Sequence, residues 1–254
     1  MIQAPSLVFP IERTRRPKLS VSLARDDKEI LAAKRLRYRI FAGELGAKIA
    51  SGIPDVDHDD FDPHCDHLIV RDEDAQAVVG TYRILSPENA SKIGGYYTES
   101  EFDLAALRQL RPTLVEVGRS CVHPDYRTGA TISLLWSGLI KYMLDHRYLH
   151  LVGCASISMA DGGHAAASIY HRIGSHMSPA ELRVRPLRPL PLGELRNDVS
   201  AEMPPLIKGY LRAGAYVCGE PAWDPDFNTA DLPILLPMSQ LNCRYCQHFA
   251  KGEA

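Results

Sequence analysis

The chain has 254 residues, 45% hydrophobic and 24% charged, with 29 lysines and arginines against 31 aspartates and glutamates. This is the composition of a globular protein with a sizeable core, and the near balance of charge excludes a general attraction to nucleic acid or membrane. No stretch reaches the roughly 20 apolar residues of a bilayer span. The charges of Glu12–Lys18 follow the short apolar start, unlike a secretory leader, and six cysteines over this length do not make a small disulfide scaffold, so a cytoplasmic protein with reduced thiols is expected.

In chain order, an irregular arm is predicted over residues 1–18, followed by one domain over 19–254. A short strand falls at Leu19–Ala24. Asp26 or Asp27 caps a helix carrying Ile30, Leu31, Leu36, Tyr38, Ile40, Phe41 and Leu45, which frays at Gly43 and Gly46. The acidic Pro54–Pro63 segment is a loop leading into a hairpin of strands His67–Arg71 and Ala77–Leu85. Residues 86–113 form a long excursion with a helical run near Leu104–Leu110. Val115–Val122 reads as a buried strand, Thr131 to about Met143 as a helix, Leu149–Ser156 as a strand and Gly163–Arg172 as a helix. A long loop or edge strand over 179–193, a helix at Glu202–Ala213, and strands at Ala215–Cys218 and Leu232–Leu236 complete the chain. Alternating strands and helices predict a mixed α/β sheet.

The turn between the central strand and helix, His123-Pro-Asp-Tyr-Arg127-Thr-Gly129-Ala130, opens onto a helix N-terminus. Glycine permits unusual backbone angles, small residues let an anion approach the amides, and the helix dipole favours negative charge. A phosphate or pyrophosphate is the expected ligand. The stretch lacks the Gly-Lys-Ser/Thr of a Walker loop and the three spaced glycines of a dinucleotide fingerprint.

This segment resembles the GNAT acyltransferase superfamily, whose loop ends in Arg/Gln-x-x-Gly-x-Gly/Ala and grips the pyrophosphate of coenzyme A. Arg127-Thr-Gly129-Ala130 is a shortened form, which favours the single phosphate of a carrier-protein phosphopantetheine. Arg37-Tyr-Arg39-Ile-Phe41, Asp57-His-Asp59-Asp-Phe-Asp62, Gly80-Thr-Tyr-Arg83 and Glu116-Val-Gly-Arg119 follow the order seen in acyl-homoserine-lactone synthases. Those enzymes carry a tryptophan shortly after the first motif's phenylalanine, and this chain does not. Phe41-x-x-Glu44-Leu-Gly, the Asp62–Val70 run and the long C-terminal part are more similar to the ornithine N-acyltransferases of bacterial ornithine-lipid synthesis, over roughly residues 20–245.

The resemblance implies a GNAT-like, mostly antiparallel sheet flanked by helices, with a splayed central strand pair. It implies transfer of a 3-hydroxyacyl chain from acyl carrier protein to the α-amine of L-ornithine, giving lyso-ornithine lipid. No tightly bound cofactor or metal is expected. The acyl-phosphopantetheine of the carrier protein is the co-substrate, and a downstream O-acyltransferase adds the second chain. Peripheral contact with the inner membrane face suits a lipid product, and no nucleic acid is involved. Alternatives are an N-acyl amino acid or acyl-homoserine-lactone synthase with another amine acceptor, and a non-catalytic acyl-carrier or lipid-binding module.

Such chemistry needs a neutral amine, support for an oxyanion and a leaving thiolate. Glu116 is the expected base, acting directly or through water; the other reading is a strand glutamate paired with Arg119. Tyr170 stands where many GNAT enzymes place a thiolate-protonating tyrosine, and equally suits a helix core. Arg37, Phe41, Asp57, Asp59, Asp62, Arg83 and Arg119 are the expected substrate-binding set, the aspartates facing either a cationic amino acid or Arg37, Arg39 and Arg83, and Arg119 gripping a substrate carboxylate or holding the acidic cluster. Cys121, Val122, Arg127, Gly129, Ala130 and Thr131 are expected to hold phosphopantetheine, with the Cys121 or Val122 amide as oxyanion donor. Cys121 lies in an apolar strand and is a poor nucleophile. The aspartate run lacks the glycine and final glutamate of a calcium loop. His58, His64, Cys65 and His67, and Cys243 and Cys246 with His248, both lack complete zinc-finger spacing. The basic runs Arg13–Lys18 and Arg183–Arg188 can steer an acidic carrier protein.

Overall fold

The computed structural model describes residues 17–241. The expected arm, except its last two residues, and the Cys243, Cys246 and His248 group lie outside the described residues. After β1 (Leu19–Leu23), Asp26 caps α1 (Asp27–Tyr38) by accepting the Glu29 amide at 2.9 Å. Glu29, Ala33, Leu36 and Arg37 form the buried face of α1, a spacing that keeps one side of a helix inward. Its end widens into a helical turn, Arg39–Glu44.

β2 (Asp66–Asp72) and β3 (Ala77–Leu85) form the expected hairpin. Ser86 then caps a helix that sequence reading passed over, α2 (Pro87–Ile93), with proline at the first helical position, where its missing N–H is harmless. The helical run near Leu104 is a tight 3₁₀ segment, Ala105–Thr113, preceded by the short β4 (Phe102–Asp103). Next come β5 (Leu114–Val122), α3 (Gly129–Asp145), β6 (His150–Ser158) and α4 (His164–Arg172). The proline-rich stretch is mostly irregular and contributes only β7 (Arg185–Pro186), paired with β4. α5 (Pro205–Ala213), β8 (Tyr216–Val217), β9 (Ala222–Asp224) and β10 (Thr229–Pro237) follow. No helix among the described residues is long and apolar enough to cross a membrane.

The main sheet runs β1-β2-β3-β5-β6-β10-β8, with β9 also on β10. Every pairing in it is antiparallel except β5 with β6. Alternation along the strands sends side chains to two cores. Val115 and Leu151 pack with α3, α4 and α5 on one face, whereas Leu114 and Val152 pack with Tyr96, Phe102 and Leu107 on the other. α3 lies close on the sheet because Gly138 has no side chain: a Cβ there would stand 2.8 Å from Val21 Cγ2 and 2.9 Å from Leu68 Cδ1.

The parallel pair is the feature that positions the site. β5 and β6 are nine residues each, yet they pair only at Leu114–Glu116 against His150–Val152. Immediately beyond, a Cβ on Gly153 would stand 2.3 Å from the Val117 carbonyl oxygen, so the two backbones touch there before they part. The gap that opens is a cavity of about 240 Å³, bounded by Val117–Ser120 of β5 and by Gly153, Cys154 and Ser156 of β6.

Candidate active site

Glu116 sits at the apex of this wedge, as the last paired residue of β5. Its carboxylate accepts the Tyr97 and Thr98 amides at 2.9 and 2.6 Å and the Thr98 hydroxyl at 2.5 Å. A carboxylate offers about four lone-pair positions, so roughly one remains. Burial raises its pKa, and the Thr98 and Tyr97 donors oppose the rise without cancelling it. A buried carboxylate that resists ionisation is a stronger base toward an ammonium proton. The Cys154 thiol donates to the Thr98 hydroxyl at 3.8 Å, which links β6 to the same turn.

Three residues beyond Glu116, the pairing of β5 with β3 shifts register. Arg119 takes φ +51° there, a left-handed conformation uncommon for a side chain of this size. Such a bulge releases backbone groups from the ladder and redirects a side chain. The redirected Arg119 guanidinium lies between the Tyr97 and Phe227 rings, 4.7 and 4.6 Å from their centroids. Phe41 meets Phe227 edge to face at 5.7 Å. Strand alternation alone would not have placed Arg119 here.

Against this wall packs a charge network from four segments. Arg37, fully buried, donates to Asp57 at 2.7 Å and to both Asp62 oxygens at 2.6 and 3.0 Å. Arg83 donates to both Asp59 oxygens at 2.6 Å, and Arg119 reaches Asp59 at 3.2 Å and Asp57 at 3.4 Å. Burial would raise the Asp62 and Asp59 pKa values, but Arg37 and Arg83 hold them below the usual carboxylate range. The three aspartates therefore answer to arginines. Of the partners expected for them, Arg39 is exposed, and Arg119 takes its place.

The anticipated phosphate loop forms as a helix start, two residues earlier than predicted. Gly129 and Ala130 are exposed in the first turn of α3, whose cap, Thr128, makes no side-chain bond. Arg127 lies beside them, held by a two-pronged bond to Glu44 at 2.6 Å. Thr131 and Cys121 are buried. Cys121 packs with Leu36 of α1 and Ile40 of the turn that follows it, and burial pushes its thiol up to about 12. Within the ladder Cys121 pairs with Thr81 and Val122 with Gly80 of β3, and the register breaks at Arg119 and Ser120, so the bulge amides join those of Cys121 and Val122 as candidate oxyanion donors.

Tyr170 is not among the residues lining the wedge. It lines a separate cavity of about 270 Å³ with His171, Met177 and Leu192, because α4 carries it away from the opening. The expected thiolate-protonating role is not supported by this placement. Sequence reading also missed Tyr97, Thr98, Glu101, Asp224, Phe227 and Asp231, all on the cavity wall. The Tyr-Thr-Glu-Ser-Glu run at 97–101 and the Asp-Pro-Asp-Phe turn at 224–227 were the available signals. Each looked like an ordinary polar loop.

Residues 36–137 match the model of the acetyltransferase (GNAT) domain family. An L-ornithine N(alpha)-acyltransferase of Agrobacterium fabrum is 38% identical over 254 aligned residues, covering 93% of this chain and 86% of the relative. The protein of that name from Rhodobacter capsulatus is 38% identical over 91% of this chain and 94% of its own length. The chain belongs to the L-ornithine N(alpha)-acyltransferase family. Among solved structures, the coenzyme-A-dependent acyl-homoserine lactone synthase BjaI, solved with SAM and isopentyl-CoA, superposes with a TM-score of 0.54 at 16% identity, over 94% of this chain and 92% of that one. FeeM, an N-acyl amino acid synthase from uncultured soil microbes, gives 0.53 at 14% identity, over 88% and 92%. These likenesses concern the fold, and they bear out the GNAT-like sheet expected of this L-ornithine N(alpha)-acyltransferase family member.

Proposed function

We propose that this protein moves a 3-hydroxyacyl chain from the phosphopantetheine thioester of acyl carrier protein to the α-amine of L-ornithine. The observation that carries this reading is the wedge between β5 and β6 with the buried Glu116 carboxylate at its apex. The donor's phosphate rests at the start of α3 beside Arg127, and its arm lies along the parted strands. Arg119, stacked between two rings, orients the amino-acid carboxylate through its planar fork.

The α-ammonium gives a proton to Glu116, directly or through one water, and the neutral nitrogen attacks the thioester carbonyl. An amide of the Arg119–Val122 stretch, where the ladder with β3 breaks register, supports the tetrahedral oxyanion. Collapse breaks the C–S bond, and the pantetheine sulfur leaves as thiolate and takes up a proton. The product is a single-chain N-acyl ornithine whose 3-hydroxyl is open to a downstream O-acyltransferase. The exposed Arg183, Arg185 and Arg188, with Leu187 among them, suit docking of an acidic carrier protein, and work at the inner membrane face suits the lipid product.

Mass spectrometry of purified protein with 3-hydroxyacyl carrier thioester and L-ornithine tests the reading, with an N-acyl ornithine as the expected product. Preference for S-adenosylmethionine with lactone release would overturn it. Glu116→Gln keeps the shape and removes the base, so kcat is expected to fall about 10²–10⁴-fold. Unchanged turnover in that variant would remove Glu116 from the chemistry.

A further inference from the structure

A second group of carboxylates lies on the same cavity wall and takes no part in the steps above. Glu101 follows the Tyr97–Ser100 turn, Asp224 ends β9 and Asp231 lies on β10, and one oxygen from each falls within 4.8 Å of the others. All three line the wedge, and Glu101 and Asp224 also face a neighbouring cavity of about 320 Å³. Among the described residues no lysine or arginine stands within ion-pair distance of any of the three, whereas Asp57, Asp59 and Asp62 are matched by Arg37, Arg83 and Arg119. Converging acids without a cation repel one another.

The individual atoms point the same way. Asp231 is 3% exposed, and its Oδ1 and Glu101 Oε2 are buried with no N–H or hydroxyl donor on them, so that without a cation the two carboxyls are left to share a proton. Asp231 Oδ2 accepts the Thr229 hydroxyl at 3.1 Å, and Asp224 Oδ1 accepts the Asp226 and Phe227 amides at 2.8 and 3.1 Å. These bonds hold the carboxylates in place and leave orphaned acceptors on a cavity wall. Burial, with Asp231 and Asp224 nearby, pushes Glu101 toward its protonated form; burial and then Asp224 push Asp231 the same way, against hydrogen bonds from Ser156, Thr229 and the Glu101 carboxyl. A cation would reverse both shifts.

We infer that Glu101, Asp224 and Asp231 receive the side-chain ammonium of the amino-acid substrate and set a preference for a diamino acid over a neutral one. This deepens the acyl-transfer reading and rests on it. An ammonium carries three N–H donors, one for each carboxylate. The α-amine is the wrong group for this cage: three acids would stabilise its charged form, and attack on the thioester needs the neutral one. The side-chain amine keeps its charge throughout. Glu116 and the cage adjoin the same segment, with Thr98 bonded to Glu116 and Glu101 three residues further on, so one extended amino acid can address both.

The test compares L-ornithine with L-norvaline, which has the same carbon skeleton without the terminal amine, using wild type, Glu101→Gln and Asp231→Asn. Wild type should favour ornithine in kcat/KM by at least about a hundredfold, since buried polar groups left unpaired reject the analogue. Each variant should lose at least about tenfold on ornithine, mainly through KM, while norvaline stays within about twofold and reports that the protein is folded. Equal losses on both substrates would overturn the inference, as would losses traced to a divalent ion by chelation and metal readdition. If wild type uses both substrates equally, the ammonium pocket falls and the acyl-transfer reading stands. If it acylates neither, the acyl-transfer reading falls and the pocket with it.

Discussion

Arg37 shows how much of this site is decided by single side chains. It is fully buried and its donors are taken by Asp57 and Asp62, so its removal strands two carboxylates in the interior. Breaking a buried pair from one side costs about 3–5 kcal/mol, and Arg37→Met should lower stability to urea by that order, with Asp62→Asn added to it recovering part. A loss below about 1 kcal/mol would show that water reaches the network. The pH sign follows from the same pairing. Asp62 and Asp59 are held below their ordinary values in the fold. Their contribution is therefore complete above the unfolded carboxylate pKa near ~3.9 and drains away as acid protonates them. The Asp57–Asp62 spacing announced a charge-rich loop, and the likeness to known synthases named its arginines. That Arg119 could hold this cluster was one of its two expected roles; that Arg39 would stay outside it was not legible, because the side that Arg119 reaches depends on a left-handed residue in a bulge.

At the scale of elements, the device is the brief marriage of β5 and β6. Val115–Val122 was legible as a strand from its β-branched residues, and the apolar periodicity after the turn was legible as a helix. Both emerged within two residues of expectation. Where β5 and β6 separate was not legible, since Gly153 in Leu-Val-Gly-Cys reads as a mild blemish in a strand. In the fold it is the point of closest approach, and a methyl group there would meet the Val117 carbonyl oxygen at 2.3 Å. Gly153→Ala should force the strands apart at the apex, costing about 1–3 kcal/mol as an overpacked site and lowering turnover by displacing Glu116. Thermal unfolding and kcat measured together check this. Native stability with native turnover would mean that the apex adjusts freely. Tyr170 illustrates the opposite failure: its motif position suggested chemistry, but the path of α4 carries it to another cavity.

Across the whole molecule, the wedge divides one sheet into two blocks, β1-β2-β3-β5 and β6-β10-β8, joined edge to edge by a three-residue parallel ladder. A ligand lying in the gap contacts both blocks, so it binds the folded state and lends it stability. A non-transferable acyl-pantetheine thioether at a hundred times its Kd should stabilise the protein by about 2.7 kcal/mol, seen as a rise in Tm. No rise at saturation would place the acyl donor elsewhere. The sequence by itself determined the alternation of strands and helices and an open helix start near Thr131, because periodicity and turn chemistry are local and survive without coordinates, and the order of its motifs carried the resemblance that implied the mostly antiparallel sheet and the family. Tertiary structure alone decided which acids converge without an arginine. Glu101, Asp224 and Asp231 come from segments up to 130 positions apart, and their shared wall exists only once β9, β10 and the Tyr97 turn are folded around the parted strands.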